Sequence, residues 1–348
     1  MLPYLVVLTV VMIWMIVEQT SISRKSYWMP LFLLSLLAGI RKYNVGTDSG
    51  TYTKAFRHNT NINNFSFGEH VEPAYQVLNY LILSFTHNYY WLFFITALIV
   101  VSSYLYIIKK LSSNYILSVF LFITLGTYTF FFNGLRQGLA MAILALATPY
   151  LINKKFKNFL LIVILAALFH VTALFVIPFY FLLHLRIKII YKLIIIFITT
   201  FLSSSLLISY LASNNPRYEV YTQESERGGL VVLSFNIIMV LFLYIVNATD
   251  KHKTIFTRDT SQLLQFYAMG TVFVIPFALQ GLPPSGPQRM LNYFSWILVL
   301  LLPTALQKIN NIGVYILAIV LSLAYFILTT TSFSGLTPYN LNPIFEIL

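Results

Sequence analysis

The sequence contains no cysteine, and only 9% of its residues are charged. Without cysteine the chain can form no disulfide, no thiolate metal site and no cysteine nucleophile. The sequence also lacks the His-x-x-Glu-His metal motif, an Asp-x-Asp pair, a nucleophile elbow and the phosphate-binding loop of ATPases. We therefore expect no metal, no cofactor and no coupling to ATP.

Apolar residues make up most of the chain: 58% of it is hydrophobic and the mean hydropathy is +0.79. About ten apolar runs follow one another, a pattern typical of a polytopic helical membrane protein. The first run, residues 3–17, has no Lys or Arg before it and no small-residue cleavage pattern after it, which favours a retained helix over a signal peptide. We predict an all-α integral membrane protein with about 10–12 transmembrane or re-entrant helices in one bundle. Residues 1–348 would form a single domain with a periplasm-facing cavity.

The net charge of +12 does not indicate nucleic-acid binding, because the Lys and Arg residues are clustered in loops between apolar runs. Loops of this kind stay on the cytoplasmic side of a membrane. The clusters are Arg24-Lys25, Lys109-Lys110, Lys154-Lys155-Lys157, Arg186-Lys188, Lys251-Lys253 with Arg258, and Lys308. Alternating helices then place both termini and three longer loops, residues 41–90, 212–228 and 281–289, on the outer side.

Two segments do not fit simple crossings. Residues 73–86 are too short to span a bilayer, so we predict an interfacial or re-entrant helix on the outer face. Residues 158–184, as one crossing, would carry the following basic loop outside. We predict instead a bent pair that meets at His170, with arms of about 18 Å each. Non-helical backbone at such depth is tolerated where it lines a protein cavity, which predicts a water-filled pocket open to the outer face.

The two predicted faces differ in their choice of cation. With Lys192 added to the basic loop clusters, the inner face carries 14 Lys and Arg residues, of which eleven are Lys, whereas six of the eight outer cations are Arg. In a solvent-exposed loop, Lys and Arg serve equally well as positive charges. The guanidinium fork, however, matches two phosphate oxygens at once. This asymmetry indicates phosphate recognition on the outer side.

Arg136 and His170 are the strongest candidate site residues, because ionisable groups within apolar sequence are costly and indicate function. Arg136 opens a helix rich in Ala and Gly, and a helix N-terminus already favours anions. Snorkelling to lipid headgroups is the alternative interpretation. A neutral His170 imidazole would suit a proton acceptor near pH 7, or it could be an interior histidine with a structural hydrogen bond.

Two carboxylates accompany them. Asp48 lies in a segment where Gly46 and Gly50 allow a tight turn toward the membrane, although it could simply cap the next helix. Glu72 precedes Pro73, a combination typical of a helix start, and it could be either an ordinary acid near a helix N-terminus or a catalytic group.

Two further loops carry weaker signals. The loop around Arg217 and Tyr221 combines charge of both signs with tyrosine, as sugar-binding loops do, but a solvated loop has the same composition. In the segment from Pro283 to Tyr293, a rigid turn delivers Arg289 to the start of another helix, which repeats the arrangement of Arg136.

In their order and spacing, these motifs resemble the EpsG family, the Wzy-like polymerases of bacterial O-antigen, capsule and exopolysaccharide. The matching motifs are Arg41 with Val-Gly46-Thr-Asp48 and Tyr52, Glu72-Pro73-x-Tyr75, Asn133-Gly-x-Arg136-Gln137-x-x-Ala140, Phe169-His170-x-x-Ala173 ahead of Pro178, and, more loosely, Arg289-x-x-x-Tyr293. Together they cover most of the chain.

The resemblance implies a metal-independent glycosyltransferase of the bacterial cytoplasmic (inner) membrane with its active site facing the periplasm. Its substrates would be oligosaccharide repeat units linked to undecaprenyl diphosphate, and the growing glycan would pass to the next repeat unit. The implied partners are membrane lipids, a chain-length regulator and a flippase.

The residue roles that follow are hypotheses. We expect Arg136 and Arg289 to bind the diphosphate, with Arg41 and Arg57 as further candidates. His170 is the leading base, and Asp48 and Glu72 are alternatives or orienting groups. Sugar contacts are assigned to Arg217, Tyr221 and Tyr293.

Two other classes of protein remain open. A flippase or other transporter of the same lipid-linked unit would also place arginines in a cavity, but it should show inverted repeats, and no repeat is visible. A membrane sugar O-acyltransferase would need to draw its acyl donor from the cytoplasmic side, where the sequence shows only basic loops.

Overall fold

The computed structural model describes residues 1–58, 60–214, 229–250, 255–283 and 286–345. Within these ranges the regular secondary structure is helical, and an isolated antiparallel bridge joins Arg41 to Leu341. The helices up to residue 145 are α1 (Leu2–Ile22), α2 (Trp28–Gly39), α3 (Ser49–Tyr52), α4 (Lys54–Arg57), α5 (Pro73–Leu83), α6 (Tyr90–Leu111), α7 (Tyr115–Thr124), α8 (Thr127–Asn133) and α9 (Leu135–Ala145). The later helices are α10 (Thr148–Ile152), α11 (Phe156–Ala167), α12 (Ile177–His184), α13 (Ile189–Asn214), α14 (Leu230–Thr249), α15 (Arg258–Leu279), α16 (Asn292–Ser295), α17 (Leu298–Ile309) and α18 (Ile312–Leu328).

Six helical segments of the described chain are long and apolar enough to cross a membrane. They are Leu2–Ile22, Tyr90–Leu111, Tyr115–Asn133, Leu230–Thr249, Arg258–Leu279 and Ile312–Ser332. A further pair, Pro287–Ser295 and Leu298–Ile309, bends by 47°, and five shorter apolar helices accompany these segments. The prediction of an all-α polytopic membrane protein is confirmed.

The chain forms two compact units, which are discontinuous in sequence. The first unit comprises Met1–Pro149, Lys157–Leu174 and Asn311–Leu348. In it α2 packs along α6, α6 packs on α9, and α1 contacts both α2 and α7. Every residue of α9 is buried, as expected of a helix built from small side chains that lets its neighbours approach closely.

The second unit comprises Tyr150–Phe156 and Phe175–Asn310. Its central helix is α15, which contacts α12, α13, α14 and the 3₁₀ segment Pro287–Leu291. Gly270 allows this packing, because a Cβ atom there would overlap the ring of Phe294. The assignment of residues 1–348 to a single domain stays a prediction.

Residues 334–342 form a non-helical segment, here called the C-terminal strap, which is hydrogen-bonded to the segment that follows α2. The Gly335 carbonyl accepts the Gly46 N–H (2.9 Å), and the Asn340 carbonyl accepts the Lys42 N–H (2.8 Å). The Asn342 N–H in turn donates to the Ile40 carbonyl (2.7 Å). The strap therefore covers the segment that follows α2.

Neither of the two segments that do not fit simple crossings forms a single spanning helix in the structure. The short apolar run after residue 73 becomes α5, which at 11 residues is about 16 Å long and cannot cross a bilayer. The later segment is broken as predicted: α11 ends at Ala167, and a 3₁₀ turn begins at Val171. The break places His170 outside any helix.

Candidate active site

Glu72 is held at the start of α5 by two local features. It is the residue before Pro73, which occupies the first turn of the helix and needs no hydrogen bond for its nitrogen. The next free backbone donor, the Ala74 N–H, bonds to the Leu168 carbonyl at 3.0 Å. Because Leu168 lies in the break after α11, this bond joins the first turn of α5 to the segment that carries His170.

Arg136 enters the same place from the first turn of α9. That helix packs tightly on α8, since a Cβ atom at Gly138 would lie 2.9 Å from the Phe131 Cα atom. The side chain of Arg136 is only 8% exposed. A buried guanidinium needs a partner, and Arg136 finds it in Glu72.

The three side chains form one cluster, here called the Arg136–Glu72–His170 cluster. Arg136 Nη1 donates to Glu72 Oε2, and His170 Nδ1 lies 2.6 Å from Glu72 Oε1. Burial raises the pKa of the Glu72 carboxyl, but the hydrogen bond from the His170 ring and the positive charge of Arg136 outweigh it, so the pKa lies below its ordinary value. Glu72 is therefore an ionised carboxylate with both oxygens in use, which makes it a poor general base.

This arrangement assigns the nitrogens of His170. An ionised carboxylate can only accept, so Nδ1 carries the proton of the bond to Glu72. Among the described residues no group makes a hydrogen bond with Nε2, the other ring nitrogen. In the neutral ring Nε2 is an acceptor, and the cluster presents it as a base.

The guanidinium of Arg136 keeps one edge unused. Its Nε atom is buried with no hydrogen-bond partner, and in the described part of the chain none is recorded for Nη2 either. Nε and Nη2 together form the fork that binds two oxygens of one oxyanion. The guanidinium carbon lies 5.7 Å from the centre of the Tyr75 ring.

Arg136 is one of the residues that line a cavity of about 560 Å³ within the first unit. The lining residues are Thr51, Tyr52, Lys54, Ala55, His58, Thr60, Phe65, Ser66, Gly68, Val71, Tyr75, Gln76, Asn79 and Arg136. One wall is a face of α5, and the other lining residues belong to α3, α4, α9 and the loop that leads to α5. Gln76 fastens α5 to that loop, because its amide bonds the Gly68 N–H (2.7 Å), the Gly68 carbonyl (2.9 Å) and the Val71 carbonyl (2.6 Å).

Arg41 occupies a closed aromatic cage and is not among the cavity-lining residues. It is 0% exposed, with its guanidinium carbon 3.6 Å from the Phe93 ring centre and 4.1 Å from that of Phe132. Nη1 donates to the Ala38 carbonyl at 2.7 Å, whereas Nε and Nη2 are buried without a partner. No atom of this guanidinium reaches solvent for a substrate to bind.

Asp48 and Arg57 lie in the loop after α2. Gly46 has a φ of +103°, which confirms the predicted tight turn, and Asp48 follows it half-buried at the start of α3. Arg57 donates to Thr53 Oγ1 (3.2 Å) and to the Gly50 carbonyl (3.0 Å), and it stacks on Tyr43. These contacts hold the loop, and Arg57 is not among the lining residues of the cavity.

The remaining predicted site residues lie elsewhere. Arg289 and Tyr293 belong to the second unit, where Arg289 is half-buried and Tyr293 is 1% exposed. Arg217 and Tyr221 lie outside the described residues. The roles predicted for these four residues stay predictions.

Sequence reasoning missed the polar face of α5. Tyr75 enters the sequence prediction only as part of a motif, and Gln76 and Asn79 do not enter it. The available signal is their spacing, since residues four apart share one side of a helix. Tyr75 and Asn79 are such a pair, and both line the cavity.

A family model described as the EpsG family matches residues 25–341. No curated protein and no solved structure is significantly similar to the chain. The match covers nearly the whole chain, including all three members of the Arg136–Glu72–His170 cluster. The chain therefore belongs to the EpsG family, a family of Wzy-like polymerases.

Proposed function

We propose that this multi-pass membrane protein is a polysaccharide polymerase of the bacterial cytoplasmic membrane. It would transfer the growing glycan from undecaprenyl diphosphate to the next lipid-linked repeat unit on the periplasmic side. The observation that carries the proposal is the Arg136–Glu72–His170 cluster, in which a base and an unused arginine fork share one carboxylate. Membership of the EpsG family supports the reaction class.

The reaction requires a cation at the diphosphate and a base for the acceptor hydroxyl, but it requires no general acid for the leaving group. Its leaving group is a lipid diphosphate, which departs without protonation. As the bond between the anomeric carbon and the diphosphate oxygen breaks, that bond's electron pair moves onto the diphosphate. A fixed cation aimed at those oxygens stabilises the transition state.

Arg136 suits the cationic role. Its Nη1 is held by Glu72, which orients the guanidinium and leaves the Nε and Nη2 edge for two diphosphate oxygens. A lysine could neutralise the same charge but could not match two oxygens in one plane. A charge-assisted contact of this kind contributes about 1.5–3 kcal/mol.

His170 is the residue that suits the basic role. Its Nε2 would accept the proton of the acceptor hydroxyl while that oxygen forms the new bond to the anomeric carbon. Glu72 stabilises the imidazolium that results, because its carboxylate already accepts the Nδ1 hydrogen. A single displacement of this kind inverts the anomeric centre.

The test is a glycan ladder from a strain that lacks this protein and is complemented with wild type, Arg136→Ala or His170→Ala. We expect wild type to restore the ladder and both variants to leave a single repeat unit, with normal amounts of protein in the membrane. Arg186→Ala is the matched control, because Arg186 is exposed in the second unit and has no place in the proposed site.

Other outcomes separate the other classes of protein. Surface repeat units that disappear altogether in the deletion strain would indicate a flippase. A ladder of normal length whose sugars lack an acyl group would indicate an acyltransferase. A normal ladder from both Arg136→Ala and His170→Ala would remove the cluster from the mechanism.

A further inference from the structure

Three of the residues that line the cavity each carry a buried polar atom without a hydrogen-bond partner. The atoms are Arg136 Nε, the Tyr75 hydroxyl and Asn79 Oδ1. Their residues are 7%, 5% and 9% exposed, so water reaches them poorly. Buried polar groups are almost always paired, and three unpaired groups on one cavity indicate a ligand with matching groups.

The chemistry of the three atoms defines that ligand. Asn79 Nδ2 donates to the Tyr75 backbone carbonyl at 3.1 Å, which fixes Oδ1 as the free end of the amide. Oδ1 is an acceptor and requires a donor, whereas Arg136 Nε is a donor and requires an acceptor. An anion would pair with Arg136 but would leave Asn79 Oδ1 unsatisfied.

A sugar ring meets the requirements of Tyr75 and Asn79, because each hydroxyl both donates and accepts, while the diphosphate proposed for Arg136 supplies the acceptor for Nε. The Tyr75 hydroxyl lies beside the Asn79 side chain, yet the two make no hydrogen bond of ordinary length and angle. A sugar hydroxyl placed against them would donate to Oδ1 and accept from the phenol.

The walls of the cavity also suit a sugar. Tyr52 and Tyr75 meet edge to face with ring centres 6.0 Å apart, and Phe65 adds an apolar surface. The volume of about 560 Å³ falls within the range of about 300–1,000 Å³ that is usual for small-molecule sites.

We propose that this cavity is a sugar subsite in which Tyr75 and Asn79 select one hydroxyl of the saccharide next to the diphosphate bound by Arg136. This inference rests on the proposed function. It assigns the subsite to α5 of the first unit. A site built to hydrogen-bond a hydroxyl strongly rejects an analogue that lacks it, so this pair would contribute to the choice of repeat unit.

The test measures binding to the purified full-length protein in detergent, with two soluble probes. The first probe is the repeat-unit oligosaccharide released by mild acid from the lipid-linked intermediate of the same strain. The second is inorganic pyrophosphate. The variants are Tyr75→Phe, which removes only the hydroxyl, and Asn79→Leu, which keeps the approximate volume. Tyr80→Phe is the matched control, because Tyr80 lies on the same helix and is 39% exposed.

We expect Tyr75→Phe and Asn79→Leu each to weaken oligosaccharide binding about tenfold, the loss of one hydrogen bond, and to leave pyrophosphate binding within about twofold. Arg136→Lys should show the opposite preference and weaken pyrophosphate binding more than oligosaccharide binding. Tyr80→Phe should match the wild type with both probes.

Unchanged oligosaccharide binding in both Tyr75→Phe and Asn79→Leu would overturn the subsite and show that the two side chains satisfy each other. An equal loss for both probes in these variants would also overturn it, because the cavity would then be an anion site. These results leave the polymerase proposal untouched, whereas a normal glycan ladder without Arg136 and His170 would remove that proposal and not the measured sugar binding.

Discussion

The single carboxylate of Glu72 pairs with both Arg136 and His170. A glutamine at this position keeps the shape but presents an amide donor to Arg136 or to His170, both of which are donors in this cluster. We expect Glu72→Gln to abolish long polymer and to lower the free energy of unfolding by about 3–5 kcal/mol, as the loss of one partner from a buried ion pair does.

A glycan ladder and thermal unfolding in detergent measure the two effects. Glu72→Asp keeps the charge on a shorter side chain, and it should retain more polymer and more stability than Glu72→Gln. A larger loss in Glu72→Asp than in Glu72→Gln would show that the position requires the length of the side chain more than its charge.

The same carboxylate makes stability depend on pH in a known direction. Its pKa in the folded protein lies below the ordinary value of 4.5. Its contribution is therefore complete above that ordinary value and is lost as pH falls through the lower folded value. We expect the thermal midpoint of wild type to fall more steeply than that of Glu72→Gln between about pH 5 and about pH 3. Parallel curves for the two proteins would contradict this.

Arg136→Lys separates the effect of the paired Nε and Nη2 donors of Arg136 from the effect of its positive charge. Lysine keeps one positive charge but offers no planar pair of donors to the diphosphate. We expect the rate of polymerisation to fall roughly 10- to 150-fold, which corresponds to about 1.5–3 kcal/mol. Purified protein with lipid-linked repeat units in detergent gives this rate. A lysine variant as fast as wild type would show that only the charge is used.

At the scale of the element, the contact between α8 and α9 positions Arg136. A methyl group at Gly138 would meet the backbone and side chain of Phe131, and overpacking of this kind costs about 1–3 kcal/mol. We expect Gly138→Ala to lower both stability and polymer length, because α9 must shift and carry Arg136 with it. Thermal unfolding and the glycan ladder report the two effects.

Gly68→Ala is the control for stability, since a Cβ atom at Gly68 meets nothing within 4 Å. Wild-type stability in Gly138→Ala would mean that α8 and α9 can separate without cost.

Helix ends near the site were predictable where the signal is local. Pro73 after Glu72 marks the start of α5, and the small residues after Arg136 mark α9. The break at His170 followed from the charge of the flanking loops. The contact of Glu72 with both Arg136 and His170 was not predictable, because it depends on the bond from Ala74 to Leu168, which joins segments far apart in the chain.

The polar face of α5 and the cage of Arg41 were unpredictable for the same reason. Tyr75 and Asn79 become unpaired only because the loop before α5 encloses them. Arg41 has the residue type and the predicted side of a phosphate ligand, yet Phe93, Phe132 and the C-terminal strap close over it. Long-range packing leaves no mark on the local sequence pattern.

At the scale of the whole molecule, the predicted orientation in the membrane can be tested directly. The chain has no cysteine, so a single introduced thiol reports the side on which it lies. Lys54 and Lys155 are both exposed, and positive-inside topology places them on opposite faces. We expect a membrane-impermeant maleimide to label Lys54→Cys in spheroplasts and to label Lys155→Cys only after permeabilisation. The reverse pattern would put the Arg136–Glu72–His170 cluster on the cytoplasmic side.

The C-terminal strap sets an order for biogenesis. Arg41 leaves the ribosome long before residues 334–342, which are the segment that covers it. During most of membrane insertion the nascent first unit therefore lacks the strap, and Arg41 and the aromatic rings around it are not yet covered by residues 334–342. A chain that stops before residue 334 lacks these hydrogen bonds however many of its helices have inserted, so the first unit is completed only after residues 334–342 have been synthesised.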